Sequence, residues 1–131
     1  MSLRAALILA VLTFAPTAFA QPRPAEREGV SYQDQTVQLA RVLGGSHYLR
    51  ITCSGRDDQR WRDAMRGIIS REGESGALTA AFNEGYRQEE SRFPSCDRGA
   101  QQMERELRAQ GIRLANSLAV RNAGDRGRSG Q

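Results

Sequence analysis

Four stretches of the chain repeat apolar residues at intervals of three and four, the spacing that lines one face of an α-helix. Over residues 32–53, Leu39, Val42, Leu43, Leu49 and Cys53 share one stripe, with Ala40, Gly44 and His47 on its flank. Residues 57–72 open with Asp57 and Asp58 as cap candidates and align Trp61, Ala64, Met65, Ile68 and Ile69. Residues 75–92 carry Leu78, Ala81, Phe82, Gly85 and Tyr86, and Pro94 then enforces a stop. Residues 97–121 carry Ala100, Met103, Leu107, Gly111, Leu114 and Leu118. The breaks at Ser54-Gly55, at 73–76 and at 93–95 are short, which makes consecutive helices antiparallel neighbours. The expected fold class is all-α, a small up-down bundle of about four helices tied by one disulfide.

Gly44-Gly45 is the weak point of the first helix, because two glycines cost about 2 kcal/mol relative to alanine inside a helix. Either the helix breaks there, with Ser46 capping a new segment, or Gly44 lets a neighbour approach closely. Close approach is the preferred reading.

The two ends of the chain read differently from its middle. Residues 1–20 start with a single cation, Arg4, continue through an apolar run, and end Ala18-Phe19-Ala20. That is the three-part pattern of a secretory signal, with cleavage expected after Ala20. The apolar run is short for a bilayer, and no other segment of the mature chain reads as a membrane span. Residues 21–30, with Pro22 and Pro24, read as a flexible leader, residues 31–120 as the helical domain, and residues 121–131 as a disordered Gly/Arg tail. The expected location is periplasmic.

The cysteine count agrees with export. Two cysteines, Cys53 and Cys96, lie 43 positions apart, so they form no CxxC motif and no local metal knuckle. In an oxidising compartment the default for such a pair is a disulfide. Cys53 closes the first helix and Cys96 opens the fourth, and in an up-down bundle those two points lie at the same end.

Charge and composition mainly exclude. All 19 basic residues are arginine, which removes lysine Schiff-base chemistry and the lysine-dependent phosphate loop. The sequence pI of about 9.8 suggests nucleic acid, yet between Val30 and Val120 arginines and carboxylates nearly balance. A clustered basic face is not indicated, so nucleic-acid binding is set aside. At 131 residues the chain is too short for a doubly wound sheet with a cofactor crevice or for a closed βα barrel. One histidine, His47, with two paired cysteines cannot complete a zinc set, and Gly-x-Ser-x-Gly does not occur. No metal, cofactor or catalytic set is expected.

One constellation carries a sharper expectation. His47 lies six residues before Cys53 and Glu89 seven before Cys96, placing them about 9 and 10.5 Å from the bridged end. Helical phase puts Glu89 inside the apolar stripe of the third helix, where an unpaired carboxylate is costly. Its expected partner is His47, or Arg50 one turn further along, with Tyr86 beside them as part of a polar cluster. On the opposite face, Asn83, Glu84 and Arg87 form a candidate contact surface.

These residues also carry a resemblance. His47-Tyr48-Leu49-Arg50 leading to Cys53, then Trp61-Arg62 and Met65, then Phe82-Asn83-Glu84-Gly85-Tyr86-Arg87 and Cys96 resemble an uncharacterised alphaproteobacterial family of short exported helical proteins, a domain of unknown function. The similarity runs roughly from Gln33 to Leu118. It implies an exported, mainly helical protein and carries over no activity, cofactor or catalytic residue.

The sequence therefore favours a non-enzymatic cell-envelope protein that binds another protein through a helix face. The alternative is a small-ligand binder, or an acid–base enzyme, using an interhelical pocket near His47 and Glu89. A cavity reached by those side chains would favour the alternative.

Overall fold

A computed structural model describes residues 24–73 and 76–129 of the chain. They form four helices: α1 (Pro24–Ser54), α2 (Arg60–Glu72), α3 (Gly76–Arg92) and α4 (Arg98–Ser129). The stops and starts have local causes. Gly55 takes a positive φ of 99° and returns its N–H to the Ile51 carbonyl, which closes α1. Asp97 caps α4, its carboxylate accepting from the Ala100 N–H at 2.7 Å. Asp58, expected as a cap, lies just ahead of α2 and accepts weakly from the Arg60 N–H at 3.4 Å.

Helix α1 is the axis of the molecule. It packs against α2, α3 and α4, while those three make at most marginal backbone contact with one another. From Val42 to Leu49 every residue is buried, so this segment is enclosed all round rather than along one stripe. Contacts fix the directions. Tyr32 bonds Glu72 at 2.7 Å and Arg50 bonds Glu104 at 3.0 Å, which makes α2 and α4 antiparallel to α1. Gly44 lies against Phe82 and Tyr48 against Tyr86, so α3 runs parallel to α1. The topology is up-down-up-down.

The core divides along α1. One cluster joins Leu39, Ala40 and Leu43 to Met65 and Ile68 of α2, Leu78 and Ala81 of α3, and Leu118 of α4. The other, toward the bridged end, gathers Tyr48, Leu49 and Ala100, with Cys53, Tyr86 and Phe93 packed against it. Cys53 and Cys96 are bridged there with Cα atoms 4.9 Å apart.

The glycine question is settled by the crossing of α1 and α3. Helix α1 is unbroken, and a Cβ on Gly44 would run into the Phe82 carbonyl. In return, a Cβ on Gly85 would run into the Arg41 carbonyl. Each helix thus seats its glycine on the other's backbone, and the Arg41–Glu84 ion pair, 2.6 Å, flanks the contact.

Both ends of the fold are more helical than expected. Helix α1 begins at Pro24, inside the segment read as a flexible leader. Proline suits a first helical position. Helix α4 continues to Ser129 through the segment read as a disordered tail. Extending an existing helix adds one hydrogen bond per residue without a new nucleus, and Arg126 and Arg128 lie where the dipole favours cations. Val120, just before that stretch, is 73% exposed. The expected signal, residues 1–20, lies outside the described residues.

Candidate functional site

The residues singled out around the bridged end separate into three places. His47 is 5% exposed and faces α3, its ring 6.0 Å from Phe82 and 6.1 Å from Tyr86. Its Nδ1 is buried without a hydrogen-bond partner among the described residues. Tyr86 lies edge-on to Tyr48 at 5.2 Å, and the Tyr48 hydroxyl donates to the Phe93 carbonyl at 2.6 Å. The expected neighbours His47 and Tyr86 are therefore together.

Glu89 does not join them. It is buried at 3% exposure, as its helical phase indicated, but its carboxylate accepts from Arg92, 3.2 Å, and Gln88, 3.3 Å, both on α3. Its side chain packs against Gly45, on the side of α1 that Leu107 of α4 also covers. His47, two residues on, points about 200° around the helix. The backbone contact at the two glycines separates them, so the expected His47–Glu89 pair is not formed.

Arg50 is also engaged elsewhere. Its Nε donates to Asp58 at 2.8 Å and its Nη1 to Glu104 at 3.0 Å, which ties α1 to the turn before α2 and to α4. Glu104 accepts from Arg108 as well. The Arg50 guanidinium, and Arg60 beside it, hold the Asp58 carboxyl at about 2, below its ordinary 3.8. This is a structural network rather than part of a reacting pair. On α3, Asn83, Glu84 and Arg87 are all exposed, but Glu84 is taken up by Arg41 and Asn83 borders the recess beside His47, so the three do not form one surface on the opposite face.

Beside His47 lies a recess of about 600 Å³, open to solvent, between α1, α2 and α3. Ile51, Met65 and Ile69 supply apolar wall, and the Phe82 and Tyr86 rings close the α3 side. Polar groups come from Gln59, Thr79 and Asn83, and three arginines, Arg56, Arg62 and Arg66, complete the lining. Among the described residues no carboxylate lines it. The sequence reading gave these arginines no role. The available signal was the i,i+4 pair Arg62 and Arg66 on the same side of α2 as Met65 and Ile69.

A second recess of about 380 Å³ lies on the other side of α2, against α4. Its walls are mostly apolar or small, among them Leu43, Ala64, Gly67, Gly111 and Ala115. Two buried polar atoms without hydrogen-bond partners among the described residues border it, Ser46 Oγ and Trp61 Nε1. Adjacent residues Ser46 and His47 thus serve opposite flanks of α2. Among the described residues no group of three His, Cys, Asp or Glu side chains could hold a metal ion.

The electrostatics of the cavity have a measurable consequence. Burial, and then the positive charge of Arg62, push the His47 imidazole below its ordinary 6.5, while Asp58 and Asp63 pull weakly the other way. As pH falls through 6.5 the unfolded chain takes this proton before the folded one does, so stability declines. Asp58 acts with the same sign lower down, between 3.8 and about 2. The urea midpoint is expected to be level above pH 7, to fall as pH drops through 6.5, and to fall again below about pH 4. His47→Gln should remove the first decline and leave the second.

The fold and site define a class: over the described residues, an all-α protein of four helices, bridged once, with an arginine-lined interhelical recess. Over residues 31–122, which span parts of all four helices, the chain matches the family described as protein of unknown function (DUF2385). It belongs to that family. No curated protein and no solved structure matches it. No helix among the described residues is long and apolar enough to cross a membrane.

Proposed function

We propose that this is an exported cell-envelope protein that works by binding rather than by catalysis, and that it holds a small molecule in the cavity beside His47. The observation that carries this reading is a buried histidine, with one nitrogen unpartnered, lining a cavity of ligand size. The apolar walls with a few convergent polar side chains are the usual makeup of such sites. Export is supported by the pattern of residues 1–20 and by the Cys53–Cys96 bridge. An acid–base mechanism loses its basis with His47 and Glu89 on different sides of α1.

A second reading, docking of another envelope protein on the outer face of α3, is supported by Arg87, exposed there. Native mass spectrometry of the protein from its own envelope separates the two. A retained small molecule is expected, and Thr79→Trp, which fills the cavity from an exposed helical position, should abolish it. A protein adduct lost on Arg87→Glu and indifferent to Thr79→Trp would favour the second reading. Absence of any small-molecule adduct from both proteins would sink the first.

A further inference from the structure

We propose that the occupant of the cavity beside His47 is an organic anion: a sulfonate, carboxylate or phosphate group carried on a flat apolar body. This rests on the small-molecule reading above and adds the chemical class.

The charge argument starts from which groups are already paired. Asp58 and Asp63 are the carboxylates close enough to act on His47. Asp58 is held by Arg50 and Arg60, and Asp63 by Arg66 at 3.2 Å. Arg66 therefore brings its own counter-charge to the cavity. Arg56 and Arg62 make no ion pair among the described residues, yet both line the same cavity. Glu90 is felt by the Tyr86 hydroxyl, and there Arg56 opposes it. Among the described residues no carboxylate pairs with Arg56 or Arg62, so the wall carries an excess of positive charge, and clefts lined by one sign of charge concentrate ligands of the other. Guanidinium forks suit the planar oxygens of carboxylates and the oxygens of phosphates or sulfonates.

The body of the ligand is read from the remaining walls. Phe82 and Tyr86 present two aromatic rings, and Ile51, Met65 and Ile69 face them with aliphatic surface. An aromatic or fused-ring body would bury apolar area on both sides. The His47 ring adds a polar edge, its Nδ1 being without a partner among the described residues. Gln59, Thr79 and Asn83 can orient substituents. A bare inorganic anion would leave most of the cavity unfilled.

A matched pair of dyes tests this. 8-Anilinonaphthalene-1-sulfonate and N-phenyl-1-naphthylamine share one flat body and differ by the sulfonate. Titrated into the full mature protein, the sulfonate is expected to bind about tenfold more tightly than the neutral dye, as one charge-assisted contact provides. The double variant Arg56→Gln/Arg62→Gln changes two exposed side chains, so folding should be unaffected. It should remove that preference, bringing the sulfonate's affinity down to the neutral dye's. Thr79→Trp should weaken both dyes.

Equal affinities in the parent protein, or a preference that survives the double variant, overturn the anion assignment and leave the pocket standing. Binding of both dyes that Thr79→Trp leaves intact overturns the pocket itself. Flotation with phosphatidylglycerol vesicles distinguishes a soluble anion from a lipid headgroup. No co-flotation is expected, whereas arginine-dependent co-flotation would overturn the soluble assignment.

Discussion

Gly44→Val is expected to leave no cooperatively folded protein. At this position the neighbour is a backbone carbonyl, that of Phe82, and not the movable end of a side chain. Relief would require α1 and α3 to separate along their whole crossing. Gly85 would leave the Arg41 carbonyl, and the Arg41–Glu84 pair would be pulled apart. Separation would also open the core between Leu43, Leu78 and Ala81. Overpacking of ordinary cores costs about 1–3 kcal/mol, and a backbone collision at the centre of the fold belongs above that range. For a small domain with a net stability of about 5–10 kcal/mol, this is most of what it has. Circular dichroism should show no sigmoidal melt for Gly44→Val. The same substitution at Gly67, where an added Cβ meets nothing, is the control and should melt like the parent, less a small propensity change. A normal melt for Gly44→Val would mean that the two helices do not meet as described.

The second large effect is loss of the bridge. Cys53 and Cys96 close a loop across a sequence separation of 43, and constraining the unfolded chain over that length is worth about 4 kcal/mol in the chain-entropy account. Cys96→Ser, made together with Cys53→Ser to avoid a free thiol, should lower the melting midpoint by roughly 15–30 °C for a domain of this size. The helical signal below the transition should be kept, because Asp97 still caps α4 and Tyr48 still bonds the Phe93 carbonyl. Treating the parent with reductant should reproduce the shift. A double variant that melts like the parent would show that the bridge contributes no net stability.

The apolar stripes of α2 and α3, the stop at Pro94 and the direction of each helix were legible because each depends on local chemistry or short connections. The bridge was legible because two cysteines at the ends of two helices had one sensible pairing. The enclosure of α1 was not, since Ser46 and His47 do not register in a hydrophobic pattern. They are buried because the glycines beside them admit a second backbone.

Glu89 shows the limit most clearly. Phase along α3 correctly turned it inward, but phase does not say which side of α1 an inward residue meets. That depends on how α3 is rotated at the crossing, and Gly45 received the carboxylate's stem while His47 faced the other way. The cavity was hidden for a different reason. It is made where side chains stop short of one another, and the arginines around it look in sequence like any solvated helix face.

The position of α2 has one more consequence. It rests chiefly on α1, with an open recess along each flank. A partition between two rooms cannot lean toward one without enlarging the other. A guest that wedges the helix aside on the arginine-lined flank narrows the greasy one opposite, so two guests could oppose each other without ever touching.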